Sequence, residues 1–503
     1  MPVVQSIDYL AIAPPLIVAL TAFAVLVADA YVDVSRRGLL DAVALGGVLA
    51  GFAATSALAF GGGRRTFCVP PGLAGAGPVS CSYVVDEFTL LLQMVVLAAT
   101  VVVLLMAGAE IRATALPVGE FHFLMLSSLA GALTLVASRD LVMLVVALEV
   151  VSLPMFALAA LRRYDGRSSQ AGLTMFLISV VSTAVMLFGI SLVYGASGAM
   201  HLDRIALALA ATGRTAPVAA VGIGLVLVGF GFKVSAVPFH FWAPDTYSGA
   251  PVAVAAFLSV VSKTAGFAGL MLVLVIGFRP YVAVWGPIVA AAAAVTMTVG
   301  NLVALRQRHA VRLLAWSSIA QAGYLLAPLG AMAGAADGDA VAVVTGAAVA
   351  YLAIYVVMNI GAWAVVAVVA RHRPAGELAD YRGFARTNPL CAVMLAFFLA
   401  CLAGLPPGLA GLFAKIVVFR AAITGAAGWL AVLIAINTVI GLYYYMAWAA
   451  RMFAAPAEPE SRAAPVPRTV GAAIAIAAAA TIALSVTPNL LLHISPITIA
   501  GLS

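Results

Sequence analysis

From Ala216 to Phe232 the chain carries no charge, and apolar runs of similar length recur from one end to the other. About 20 apolar residues, wound as a helix, span the ~30 Å hydrocarbon core of a bilayer. A segment in that environment must satisfy its own backbone hydrogen bonds, which a helix does internally. Composition agrees: 64% of residues are hydrophobic, 9% are charged and the mean hydropathy is +1.14. Soluble domains carry about 25% charged residues. The expected fold class is therefore an all-α polytopic membrane protein.

Apolar windows read against polar, Pro and Gly punctuation predict 14 helices. They centre near residues 20, 50, 96, 127, 150, 182, 229, 262, 293, 321, 354, 403, 440 and 480. The N-terminal stretch has no basic region and no small-residue cleavage site, so it is expected to be an uncleaved first span. With the N-terminus outside, the inner loops hold 16 arginines against 7 outside. They include Arg36, Arg37, Arg112, Arg162, Arg163, Arg167, Arg312, Arg371, Arg451, Arg462 and Arg468. The positive-inside rule then places both termini outside the cytoplasm. A net charge of +7 with pI near 9.4 comes from these dispersed arginines, so the partner implied is the lipid bilayer and not nucleic acid. The inner connections near 371–387 and 454–468 are too short to fold alone, and no soluble domain is expected.

Cys391 and Cys401 fall in one apolar run and read as packing residues. Cys68 and Cys81 flank a Gly/Pro-rich loop and can pair if that loop faces an oxidising compartment. The arginine count puts it there.

The chain has only three lysines, Lys233, Lys263 and Lys415, and each lies in an apolar segment. Among the acidic residues, Glu149 alone sits in mid-span. A charge at mid-bilayer costs ~3 kcal/mol or more, so such residues pair or face water. The four are expected inside the bundle, with Glu149 partnering one lysine; static ion pairs or snorkelling are the plain alternative. Lysine, unlike arginine, can give up its proton when buried. A carboxylate beside a row of such lysines has the parts of a proton relay. His240, seven residues after Lys233, can exchange protons with bulk water or belong to an interfacial aromatic belt. Arg312, Ser317, Ser318, Gln321 and Tyr324 supply polar atoms along one helix. No phosphate-binding GxxxxGK, CxxC or HExxH motif is present.

Lys233 precedes Pro238, and Lys415 follows the GLPPG at 404–408. Paired interrupted spans point to inverted repeats around a mid-membrane site.

The stretches FKVSAVPFHFWAPDTYSGAP, VAAFLSVVSKTAG, ALEVVSLPMFALAALRR, NLVALRQRHAVRLLAWSSIAQAGY, GLPPGLAGLFAK and GLYYYMAW together resemble the antiporter-like membrane subunits of respiratory complex I. The likeness runs from about residue 85 to 453. It implies 14 transmembrane helices, two inverted five-helix repeats and discontinuous helices carrying Lys233 and Lys415. The units would be residues 1–110, three N-terminal helices; 111–277 and 278–453, the two repeats; and 454–503, the C-terminal helix. It implies that Glu149, Lys233, Lys263 and Lys415 form a proton relay, with His240 a candidate for exchange with bulk. Lys415 stands where one relative within the family carries a glutamate. Departures are Thr174 for a lysine, Gln321 for a histidine and Ser262 for a proline, which touch the water route more than the Glu/Lys set. The function implied is proton translocation within a type-I NADH-quinone oxidoreductase of the bacterial plasma membrane. NAD, FMN, iron–sulfur clusters and quinone would then belong to partner subunits, with none in this chain. The other antiporter-like subunits would be among its partners. The rival reading is a subunit of a multisubunit cation/proton (Mrp-type) antiporter.

Overall fold

The computed structural model describes residues 5, 7–70, 79–211, 217–335, 337–373, 376–455 and 465–488. Arg462, counted above among the inner arginines, lies outside them. The described chain begins with α1 (Ala13–Asp29) and α2 (Gly38–Phe60), then a hairpin of β1 (Arg64–Cys68) and β2 (Cys81–Val85). Next come α3 (Glu87–Thr114), α4 (Val118–Ala137), α5 (Leu141–Ala159), α6 (Gly166–Ser197) and the short α7 (Leu202–Ala211). A broken pair follows, α8 (Pro217–Lys233) and α9 (Trp242–Gly249), leading to α10 (Val252–Gly277). Then come α11 (Val282–Ala304), α12 (Ala310–Ala331) and α13 (Gly338–Ala370). A second broken pair, α14 (Pro389–Ala403) and α15 (Leu409–Thr424), precedes α16 (Gly428–Phe453) and α17 (Arg468–Val486). Among the described residues, ten helices are long and apolar enough to cross a membrane.

The helices start where the sequence supplies caps. Asp86, Asp140, Asp165 and Asp337 each accept a backbone N–H of the helix they precede, α3, α5, α6 and α13. Such a cap satisfies one of the four orphan donors at a helix start. Every residue of α10 is buried, and so is most of α13, so these two form the axis of the bundle. Two π-helical turns, Leu258–Ser262 and Val273–Gly277, flank the central part of α10 that begins at Lys263. α5 and α6 instead present apolar side chains such as Val146, Val150, Phe176 and Val180 at the rim. Interfaces between spans rely on small residues: Gly300 of α11 sits against the Ala320 backbone of α12, and Gly323 of α12 against Met297 of α11.

The hairpin pairs Arg64 with Val85 and Cys68 with Cys81, and those two cysteines form the disulfide. Its more buried strand, β2, is tied down: the Arg139 N–H donates to the Ser82 carbonyl at 2.7 Å, and buried Arg139 pairs with Asp86 at 2.7 Å. Cys391 and Cys401 are free and buried, as expected of packing residues.

Candidate functional site

Both expected helix breaks are present, and each frees carbonyls that side chains use. After Lys233 ends α8, the chain turns through residues 234–241, and the Trp242 indole donates to the Phe232 carbonyl at 3.0 Å. At the second break, the Lys415 ammonium donates to the Ala403 carbonyl at 2.7 Å, and the Gln321 amide donates to its neighbour, Leu402, at 3.4 Å. Lys415 also stands 5.2 Å above the Tyr324 ring, a cation–π contact. Gly404, with φ of +79°, leaves room for the Lys415 stem: an added Cβ would lie 2.9 Å from its Cδ.

All three lysines are buried, with relative exposures of 3% for Lys233, 1% for Lys263 and 6% for Lys415. Lys233 donates to the Ser152 hydroxyl at 2.8 Å. Ser152 lies three residues beyond Glu149 on α5, hence on the same face. The Lys233 stem packs on α10, where a Cβ at Gly266 would meet its Cγ at 2.8 Å. Gly266 is one turn beyond Lys263, so the Lys233 stem rests on the same helix as the second lysine.

Lys263 donates to both the carbonyl, at 2.8 Å, and the hydroxyl of Ser318. From there a polar chain continues. The Ser318 hydroxyl meets the Tyr355 hydroxyl at 2.9 Å, and Asn359 donates to Tyr355 at 3.0 Å. Neighbouring Ser317 bonds the Tyr445 hydroxyl, to which Gln321 donates at 3.2 Å. Tyr351 donates to Gln321, and its ring stacks on Tyr324 with centroids 6.1 Å apart. Tyr324 is the ring beneath Lys415. Polar groups thus line the way from the Glu149 side past Lys233 and Lys263 to Lys415 in separate hydrogen-bonded sets, the last step being the Tyr351–Tyr324 stack beneath Lys415.

Two expectations need correction. Glu149 is not deep in the bundle: it is half-buried at the α5–α6 rim, between the exposed side chains Val146 and Val150. It makes no ion pair with Lys233 within 4.0 Å among the described residues; its partner is the Thr183 hydroxyl, which donates at 2.6 Å. Glu149 and Ser152 share a face of α5, but that face lies between two helices: Ser152 meets Lys233 of α8 and Glu149 meets Thr183 of α6. His240 is half-buried and packs edge-on against Trp316 of α12, with centroids 5.3 Å apart. Arg312 of the polar helix pairs with Asp245 of α9 at 2.8 Å.

Residues missed from the sequence are hydroxyls and amides around Glu149 and the lysines: Ser152, Thr183, Tyr355, Asn359 and Tyr351. Glu110 was missed as well. It caps α10 from outside, accepting the Val252 N–H at 2.8 Å and the Ala253 N–H at 2.9 Å, while Arg162 pairs with it at 3.0 Å. Pro251, the residue before α10, has no side-chain acceptor to offer. An acid in the last turn of an apolar helix opposes that helix's dipole, and this was the available signal.

The arginine-bearing ends converge. A cavity of about 780 Å³ is lined by Arg162, Arg167, Arg312 and Arg371 with Glu110 and Asp245. It lies at the C-terminal end of α3, whereas the hairpin lies at the N-terminal end, about 42 Å away along a 28-residue helix.

Similarity to known proteins runs along nearly the whole chain. NADH-quinone oxidoreductase subunit N 2 of Streptomyces griseus is 50% identical over 99% of this chain and 95% of its own length. Subunit N of Salinispora tropica is 46% identical over 89% of this chain and 85% of its own. Among solved structures, a chain of respiratory complex I from Thermus thermophilus with bound aureothin superposes with a TM-score of 0.76 at 31% identity, covering 95% of this chain and 98% of that one. A chain of the Mrp complex from Dietzia superposes at 0.83 with 22% identity over 98% of both, a likeness of fold alone. The transmembrane family described as NADH:quinone oxidoreductase/Mrp antiporter matches residues 138–441, the stretch that contains every lysine and Glu149. The chain belongs to that family of multi-pass, antiporter-like membrane subunits.

Proposed function

We infer that this chain is subunit N of a type-I NADH-quinone oxidoreductase and carries protons through the membrane. The observation that carries this reading is the buried row of three lysines joined to Ser152, Ser318 and the Ala403 carbonyl. Arginine would hold a permanent charge at such sites, whereas lysine can load and unload a proton. In this proposal Glu149 sets the charge beside Lys233, Lys263 is the central carrier and Lys415 the terminal one. His240 exchanges with bulk at the edge of the first break. The energy comes from redox chemistry in other subunits, which hold NAD, FMN, iron–sulfur clusters and quinone; moving one charge takes ~2.3 kcal/mol per 100 mV. The enzyme class is then a translocase whose redox site lies outside this chain. The other antiporter-like subunits adjoin it within the bilayer of the bacterial inner membrane. Fourteen crossings, the two inverted repeats at 111–277 and 278–453, and termini outside the cytoplasm complete the proposal.

The test is to tag the chain, purify it in mild detergent and assay NADH:quinone activity, then measure proton yield per NADH in membrane vesicles carrying Lys263→Ala or Glu149→Gln. Activity in a large assembly, with lower yield in both variants at unchanged complex content, supports the reading. A small cation-exchanging assembly without NADH oxidation moves the chain to the Mrp-type class. Wild-type yield in Lys263→Ala refutes the relay.

A further inference from the structure

We propose that Tyr247 is the proton-transfer link between the arginine-lined cavity and Lys263. The inference rests on the relay reading above and adds a residue and an access point to it. Tyr247 sits on α9, between the first helix break and α10, and lines the cavity. It is 1% exposed, and its ring is held edge-on by Trp242, with centroids at 6.2 Å, and by Trp363, at 6.1 Å. Yet its buried hydroxyl makes no hydrogen bond of ordinary geometry. A buried hydroxyl left without a partner costs ~1–3 kcal/mol, so a tyrosine retained there instead of phenylalanine needs a reason. Its packing supplies one: α9 lies against α12, whose Ser318 binds Lys263 and meets Tyr355, and Trp363, on the helix of Tyr355, touches the Tyr247 ring.

The cavity is far larger than the ~30 Å³ that one water occupies. Its two carboxylates are already paired, Glu110 with Arg162 at 3.0 Å and Asp245 with Arg312 at 2.8 Å, so they mark a wet, polar mouth. Tyr247 is the aromatic wall between that mouth and the dry core. The transfer balances as a relay of hops. A hydronium ion in the cavity gives a proton to the Tyr247 oxygen, whose own O–H proton passes to the Ser318 oxygen. The Ser318 proton then passes to a neutral Lys263 amine, leaving water in the cavity and an ammonium in the core. Run backwards, the same hops release a proton.

The decisive variant is Tyr247→Phe in the intact complex, because it removes the hydroxyl and keeps the ring that Trp242 and Trp363 hold. Complex content and NADH:quinone turnover are measured with proton yield per NADH in vesicles, beside Lys263→Ala. The expected result is a fall in yield equal to that of Lys263→Ala. Tyr247→His, which keeps a ring able to exchange protons, is expected to recover more than half of the lost yield per assembled complex. Wild-type yield in Tyr247→Phe, while Lys263→Ala is defective, overturns the link and leaves the relay standing. A histidine variant as defective as the phenylalanine one shows that restoring an exchangeable proton there restores nothing, and also overturns it. Wild-type yield in Lys263→Ala overturns the relay and the link together.

Discussion

Replacing Glu110 by alanine is expected to cost the assembled protein about 3–6 kcal/mol. The figure follows from two backbone N–H groups, those of Val252 and Ala253, which lose a charged acceptor; each such bond contributes about 1.5–3 kcal/mol. Both donors start a helix in which every residue is buried, so water cannot easily replace the carboxylate. Arg162 loses its partner at the same time, but its side chain is 29% exposed and water takes over its donors, so that loss adds only about 0–1 kcal/mol. Glu110→Gln keeps one carbonyl oxygen for one of the two amides and is expected to lose about half as much. The assay is complex content on native gels together with thermal melting of the purified complex. Alanine should lower both, glutamine less, and proton yield per remaining complex should fall little. That pattern differs from Lys263→Ala, where content stays and yield falls. If Glu110→Ala assembles fully and melts with the wild type, the cap contributes nothing and the reasoning fails.

Two further outcomes follow from the hairpin end. Replacing both Cys68 and Cys81 by serine should leave proton yield nearly intact while destabilising the hairpin by about 3 kcal/mol, the loop entropy of a 13-residue separation; faster proteolysis of the hairpin, with no change in turnover, is the result to look for. Asp8, in front of α1, accepts a hydrogen bond from Arg64 at 2.8 Å, which holds its carboxyl below the ordinary value of 3.8. Its folded-state pKa is depressed, so the stabilisation is full above that ordinary value and is lost as pH falls through the depressed one. At a half-exposed site this is worth under ~1 kcal/mol. Asp8→Asn should therefore remove up to that much of the hairpin's protection from hydrogen exchange at neutral pH and flatten its decline on the acid side.

Much of this protein is determined by one-dimensional pattern. The apolar runs demand helices because hydrocarbon offers the backbone no other partner. Pro238 and the GLPPG at 404–408 break two of them for local steric reasons. Lys233, Lys263 and Lys415 are conspicuous because ammonium groups are so costly there. The aspartates at 86, 140, 165 and 337 mark helix starts that depend only on the next few residues. What the pattern leaves open is which way each face turns. Glu149 and Ser152 share a face of α5, yet only the packing of α6 and α8 decides that Thr183 takes the carboxylate and Lys233 the serine. Tyr355, Tyr445 and Asn359 are ordinary polar residues in apolar helices until α10, α12 and α16 bring them to Lys263 and Gln321. Glu110 and Val252 are separated by 142 residues, and no local rule joins them. Side chains that act across helices are selected by contact, and contact exists only once the bundle has closed.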